Sequence, residues 1–130
     1  WIGFYQGSYA PHLPRGADCS SASQQLPWRS HLPASQLQDF LATVSPGGRA
    51  LELGCGTGEN LVALAQHGFD FVCGVDIVQE AVDISISALK DLEMHSSRKS
   101  AWQVLCADIL ELRQADIALL DGGTWQFDFI

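Results

Sequence analysis

The chain has 130 residues, of which 47% are hydrophobic, and a formal net charge of −8. This length fits one domain with a buried core, and the apolar fraction excludes an intrinsically disordered chain. The seven Lys and Arg are scattered singly, apart from the adjacent Arg98 and Lys99, which argues against nucleic acid as a partner. Because there is no apolar run of about eighteen residues, we expect no membrane span.

Residues 1–32 show no steady hydrophobic periodicity, and four of the five prolines lie at or before residue 33. We predict an irregular N-terminal segment that forms a flap over the site, since long loops are commonly functional. Residues 33–130 are predicted to form the domain itself. The chain starts without Met and stops where a strand is under way, so we expect the domain to be truncated near its fourth strand.

From residue 33 onward, helical and strand patterns alternate. The spacing of Leu37, Phe40, Leu41 and Val44 is typical of a helix with one buried face. The predicted elements are, in chain order, helix 33–44, strand 49–55, helix 59–67, strand 70–76, helix 79–94 and strand 101–107. This alternation predicts the α/β class, with parallel strands and a ligand at their carboxyl ends.

The fourth strand has two candidate positions, residues 127–130 and residues 116–121. We favour residues 127–130, because Gly122 and Gly123 would then end a short helix ahead of them.

The stretch LELGCGTGEN places Gly54, Gly56 and Gly58 between a strand and a helix, with Glu52 ahead of them. Glycine tolerates positive φ and allows close approach of a ligand to the backbone. The dinucleotide fingerprint would require a glycine where the chain has Glu59, and a carboxylate at the start of a helix repels a pyrophosphate. The turn therefore indicates a nucleotide-type ligand without phosphate.

Two further acidic residues follow predicted strands. Asp76 ends the run FVCGVD, about twenty residues after the glycines, where a carboxylate can accept hydrogen bonds from ribose hydroxyls. Asp108 ends the run VLCAD and is followed by the apolar Ile109. Each acid, taken alone, could instead be a solvated residue at a strand end, and the glycines alone could serve only a tight turn.

Together these motifs resemble the class I S-adenosylmethionine (SAM) dependent methyltransferase family, over residues 33–130. The resemblance implies a Rossmann-like, doubly wound sheet of strand order 3-2-1-4 with helices on both faces. It implies SAM as cofactor, with Glu52 at its amino end, Asp76 on the ribose, Asp108 on the adenine amino group and Ile109 on the ring. The implied cofactor-binding residues are Glu52, Gly54, Cys55, Gly56, Gly58, Asp76, Ile77, Asp108, Ile109 and Trp28.

Two of these assignments have open alternatives. Glu52 lies within a strand, so it is either a ligand to the amino end of SAM, directly or through water, or an inward carboxylate that needs partners. Trp28 follows a proline ahead of the first helix, as in methyltransferases of the thiopurine and tellurite-resistance type, where an aromatic lies near the cofactor. It could equally be a lid anchor packed on the core.

The predicted function is methyl transfer from SAM by in-line displacement to an unidentified acceptor, a small molecule or a protein. The alternatives are a non-catalytic module of the same fold and a nicotinamide-dependent oxidoreductase with an atypical glycine turn. No catalytic residue is assigned, because acceptor-side residues in the family commonly follow strand four. The four cysteines lack metal-ligand spacing, which predicts no metal and an intracellular, cytoplasmic protein.

Overall fold

The computed structural model describes residues 32–113 and 126–130. The predicted flap and the alternative strand 116–121 lie almost entirely outside these ranges. The elements are α1 (Ser35–Leu41), β1 (Arg49–Leu53), α2 (Glu59–His67), β2 (Phe71–Asp76), α3 (Gln79–His95) and β3 (Ala101–Cys106).

The three strands form a parallel sheet in the order β1-β2-β3, with β2 in the centre. On the other edge of β1, Phe129 forms a parallel bridge with Ala50. The Leu51 N–H donates to the Phe129 carbonyl at 2.9 Å, and the Phe129 N–H donates to the Arg49 carbonyl at 3.2 Å. Residues 127–130 therefore occupy the fourth place beside β1, and the predicted order 3-2-1-4 is confirmed.

The helix boundaries follow from local chemistry. Helix α2 has the predicted limits, because it lies between Gly58 (φ 86°) and Gly68 (φ 105°), both in the left-handed region. Helix α1 ends at Leu41, three residues before the predicted limit. There the backbone N–H and the hydroxyl of Thr43 both donate to the Phe40 carbonyl, at 2.8 and 2.7 Å, which tightens the chain into a turn.

The two faces of the sheet bury different side chains, as the alternation along a strand requires. On one face, Ala50 and Val72 pack against residues of all three helices, among them Leu61, Leu64 and Leu89. The opposite face carries a second cluster of buried residues, Leu51, Phe71, Cys73 and Val75. Within residues 32–113 and 126–130 no helix packs against that second cluster, so helices on both faces of the sheet stay a prediction.

Gly74 lies in the middle of β2, where α2 and the turn before it approach the sheet most closely. A Cβ added at Gly74 would collide with the Leu61 Cδ1 and would lie 2.9 Å from the Cys55 Sγ. Both neighbours are buried, at 0% and 6% exposure, so they have little room to move. The missing side chain at Gly74 therefore sets the distance between the turn and the sheet.

We predict that Gly74→Ala lowers the free energy of unfolding by about 1–3 kcal/mol, the usual cost of overpacking a core. Urea unfolding of wild type and variant measures this. Leu61→Val in the same background should recover part of the loss, since it removes the carbon atom that the new methyl group meets. Equal stability of Gly74→Ala and wild type would show that the contact is not tight.

Candidate functional site

The glycine turn between β1 and α2 uses its three glycines in two different ways. All three have positive φ, 76° at Gly54, 54° at Gly56 and 86° at Gly58. A Cβ at Gly58 would lie 2.7 Å from the Ser85 Oγ, so Gly58 is required for packing against α3. A Cβ at Gly54 or Gly56 would meet no atom within 4 Å. These two positions therefore border open space in which a ligand can contact the backbone.

Three hydrogen bonds fasten this turn to the end of β2, and a fourth orients the Asp76 carboxylate. The N–H groups of Gly54 and Cys55 donate to the Val75 carbonyl, at 2.7 and 3.1 Å. The Gly56 N–H donates to the Asp76 Oδ2 at 2.8 Å, and the Val78 N–H donates to the Oδ1 of the same carboxylate at 2.9 Å. Because each carboxylate oxygen has two lone pairs, Asp76 can hold the turn and still accept hydrogen bonds from a ligand.

The Cys55 side chain points into the core, although the sequence placed this residue among the cofactor contacts. It is 6% exposed and lies beside Gly74. Burial is the main cause that raises the pKa of this thiol to about 12. The thiol is therefore a neutral core group, and only the Cys55 backbone belongs to the turn.

Glu52 is a desolvated carboxylate at the site. Its Oε1 accepts a hydrogen bond from the Asn60 Nδ2 at 2.7 Å, whereas its buried Oε2 has no partner among the residues that the structure describes. Desolvation by burial is the main cause that raises the Glu52 pKa to about 7, and the charges of Glu59 and Asp76 add to it. A desolvated carboxylate with a free oxygen at a strand end is typical of a binding site.

Asp108 lies beyond the end of β3 and is exposed, and its Oδ1 accepts a hydrogen bond from the Leu110 N–H at 2.9 Å. It lines an open cleft of about 420 Å³ together with Glu111 and Arg113. The neighbouring Ile109 is 48% exposed. Both predicted adenine contacts therefore face accessible space at one end of the sheet edge.

Large apolar side chains are exposed along the carboxyl edge of the sheet, where a surface in contact with solvent would normally be polar. In the described ranges the exposed residues of this kind at the edge are Leu53, Ile77, Ile109, Leu110 and Ile130. Ile77 and Ile109 were predicted as cofactor contacts. Leu53, Leu110 and Ile130 were not among the predicted contacts.

The predicted acids come together at this edge. Glu52 is on β1, Asp76 ends β2 and Asp108 follows β3, and these strands are neighbours in that order. The three strands span roughly 10 Å laterally, at a strand spacing of about 4.8 Å. Asp76 lies two residues beyond the β2 partner of Glu52, and Asp108 lies two residues beyond the β3 partner of Asp76. Trp28 lies outside the described residues. Which of these residues contact a cofactor stays a prediction.

The family model of a methyltransferase domain matches residues 26–130, most of the chain. The chain belongs to the methyltransferase domain family. This confirms the family resemblance that the glycine turn and the two acids indicated. The methyltransferase domain extends through every described element and includes all the acids at the sheet edge.

Two curated relatives are similar to this methyltransferase domain. Peramine synthetase A of Epichloe festucae is 33% identical over 79 residues, which are 58% of this chain and 3% of the relative. The 24-methylenesterol C-methyltransferase 2 of rice is 29% identical over 105 residues, which are 78% of this chain and 28% of the relative. The chain thus spans well under a third of the length of either relative.

A solved structure confirms the fold class. A SAM-dependent methyltransferase from Thiobacillus denitrificans, in complex with S-adenosylhomocysteine, is 19% identical with a TM-score of 0.50. The match covers 74% of this chain and 37% of that one. At this identity the similarity shows the Rossmann-like architecture alone.

Among residues 32–113 and 126–130, no three His, Cys, Asp or Glu side chains lie together as metal ligands would. No helix in those same ranges combines the length and the apolar character that a membrane span requires.

The raised Glu52 pKa predicts a pH-dependent stability. The folded pKa of about 7 lies above the unfolded value of 4.5, so protonated Glu52 favours folding. This contribution is fully present below pH 4.5 and is lost as the pH rises through about 7. Ionised Glu52 therefore destabilises the ligand-free protein above neutral pH.

We predict that Glu52→Gln stabilises the ligand-free chain by up to roughly 3 kcal/mol at pH 8 and by little at pH 4. The glutamine keeps an oxygen for the Asn60 amide and has no charge to desolvate. Chemical denaturation at both pH values measures the difference. A stability gain that is the same at pH 4 and pH 8 would contradict the raised pKa.

Proposed function

We propose that this methyltransferase domain binds SAM along the carboxyl edge of the sheet and transfers its methyl group to an acceptor. The observation that carries the proposal is the open space at Gly54 and Gly56, flanked by carboxylates on three consecutive strands. The turn provides close backbone approach, and the acids provide hydrogen-bond acceptors and negative charge.

The chemistry of the site fits SAM residue by residue. The unpartnered Oε2 of Glu52 suits the ammonium of the amino-acid end, because an ion pair there offsets the desolvation of the carboxylate. Asp76 has lone pairs left for the ribose hydroxyls, and Asp108 for the adenine amino group. The exposed Ile77 and Ile109 offer apolar surface to the nucleoside.

The same acids disfavour a nicotinamide dinucleotide. Glu59 is the first residue of α2 and Glu52 lies two residues before the turn, so the helix start that would receive a pyrophosphate is already negative. Like charges at that position oppose phosphate and favour a cationic ligand. An oxidoreductase is therefore the weaker alternative.

The proposed mechanism is in-line displacement, and SAM when bound supplies a methyl group on a positively charged sulfur. The residues of the chain contribute orientation. The turn and Asp76 fix the nucleoside half, and Glu52 fixes the amino-acid half. Holding donor and acceptor in line can lower the barrier by about 7–11 kcal/mol. Closure of the site over the sheet edge would exclude water.

The acceptor in this proposal is a small molecule or a protein. Nucleic acid is disfavoured because the net charge is −8 and the basic residues are scattered. The rice relative is named for a sterol substrate, but it shares only 28% of its length with this chain. The free Cys55, Cys73 and Cys106 support the proposal of an intracellular location.

The first test is calorimetric titration of the full chain with SAM, S-adenosylhomocysteine and NAD. We predict that Asp76→Ala weakens SAM binding by about 1.5–3 kcal/mol, the size expected for hydrogen bonds to a charged group. The matched control is Asp83→Ala, which removes an exposed carboxylate of α3 whose Oδ1 accepts a hydrogen bond from the Gln79 Nε2 at 2.9 Å. Loss of affinity in both variants, or tighter binding of NAD than of SAM, would contradict the proposal.

The second test concerns the adenine end. A carboxylate that faces the adenine amino group should reject a base with a carbonyl there, because two acceptors would be left facing each other. We predict that the inosine analogue of S-adenosylhomocysteine binds more weakly by roughly 1–3 kcal/mol. Asp108→Asn, which can also donate, should shrink the difference. Equal binding of the two analogues to wild type would remove Asp108 from the adenine site.

A further inference from the structure

Asn60 joins three separate parts of the fold through one side-chain amide. It lies in the first turn of α2. Its Nδ2 donates to the Glu52 Oε1 at 2.7 Å, and its Oδ1 accepts a hydrogen bond from the Ala34 N–H at 2.8 Å. Glu52 and Ala34 are eight and 26 residues away along the chain. The amide therefore connects the end of β1 with the residue before α1.

On the Glu52 side, the Asn60 amide fixes both the orientation and the charge of the carboxylate. With Oε1 held by the amide, the buried Oε2 is the oxygen left for a ligand. A hydrogen bond to an ionised carboxylate also favours its charged form. Asn60 thus opposes the effect of burial on the Glu52 pKa.

On the Ala34 side, the Asn60 amide anchors the short helix α1. Helix α1 has seven residues, too few to be stable alone in water, and its N-cap Ala34 has no side chain that caps the helix. Its other supports are packing, such as Phe40 stacked on Phe129 with ring centroids 4.6 Å apart, and the Gln38 Nε2 donating to the Pro33 carbonyl at 2.9 Å.

We propose that Asn60 is a positioning residue that couples the ligand-facing carboxylate of Glu52 to the anchoring of α1. The inference rests on the proposed function in one respect, that Glu52 meets the amino end of SAM. When an ammonium binds the Oε2, Glu52 is held in its ionised form, which strengthens the hydrogen bond from Asn60. The Asn60 side chain is then held more firmly toward β1. The hydrogen bond from the Ala34 N–H to the Asn60 Oδ1 is held more firmly as a result.

The charged groups around Glu52 raise its pKa, whereas the hydrogen bond from Asn60 lowers it. Glu59 of α2 and Asp76 of β2 both raise the Glu52 pKa. The Cys55 thiol beside them stays neutral, because its own pKa is about 12. On the other side of the cleft the lining side chains that the structure describes are uncharged, namely Gln36, Leu37, Phe40, Phe129 and Ile130.

Three variants of the full chain separate the two halves of the coupling. Asn60→Leu removes both hydrogen bonds. Asn60→Asp keeps an acceptor for the Ala34 N–H but cannot donate to Glu52 when ionised. The matched control is Gln38→Leu, which removes the other amide bond at the start of α1 and does not touch Glu52.

Two measurements on the ligand-free chain test the hydrogen bonds of Asn60 to Glu52 and to Ala34. The first is the Glu52 carboxyl-carbon NMR shift against pH, and the second is hydrogen exchange of the Ala34 amide. We expect the Glu52 midpoint to rise by about half a pH unit or more in both Asn60 variants and to stay in place in Gln38→Leu. We expect Ala34 to exchange about tenfold faster in Asn60→Leu and at nearly the wild-type rate in Asn60→Asp.

A third readout uses SAM as the probe. Saturating SAM should slow exchange at Ala34 in wild type but not in Asn60→Leu. An unchanged Glu52 midpoint in Asn60→Leu, an equal rise in Gln38→Leu, or no slowing in wild type with SAM bound would each overturn the coupling. If calorimetry shows that SAM does not bind, the proposed function fails, whereas the ligand-free readouts still decide the role of Asn60.

Discussion

The attachment of the glycine turn to the end of β2 is the constraint on which the site depends. Backbone N–H groups of the turn donate to the Val75 carbonyl and to the Asp76 carboxylate, so hydrogen bonds hold the turn against the strand. The absence of a side chain at Gly74 allows this close approach. As a result, the open space above Gly56 lies directly beside a carboxylate, and backbone and acid can act on one ligand.

The electrostatics of the site work against the stability of the free chain. Glu52 is desolvated at the end of β1, and its pKa of about 7 means that its charge is disfavoured near neutral pH. A residue selected only for packing would be apolar at this position, as Ala50 is on the same face of the strand. A residue that lowers the stability of the free chain in this way is expected where its role is to bind a ligand.

The sequence predicted the order of the elements and the limits of α2, because glycines in the left-handed region lie at both of its ends. It overestimated α1, since one of the two bonds from Thr43 to the Phe40 carbonyl comes from the hydroxyl and depends on the Thr43 side-chain rotamer. It placed Cys55 among the ligand contacts, which stays a prediction for the backbone, since the side chain is buried against Gly74. Hydrophobic patterns report which elements form, but they do not report the direction of a side chain within a turn.

The sequence also treated the three glycines of the turn alike and gave no role to Asn60. The distinct roles of the glycines and the role of Asn60 both depend on contacts between residues that are far apart in the sequence. Gly58 faces Ser85 of α3, whereas Gly56 faces open space, and only the packed structure separates these cases. Asn60 is a polar residue in a first helical turn, a position that is usually solvated. Its partners, Glu52 and Ala34, belong to other elements.

Ligand binding and folding are linked at this edge through the same groups. The buried Oε2 of Glu52 has no partner within the described chain, so a bound cation would remove a destabilising feature as well as form a new contact. The affinity for such a ligand would then include the free energy gained when the desolvated charge of Glu52 is paired. Under the proposed coupling, the hydrogen bonds of Asn60 to Glu52 and Ala34 would carry this effect to the start of α1. Recognition of one charged group would then increase the order of a helix that contacts the same core cluster as α2.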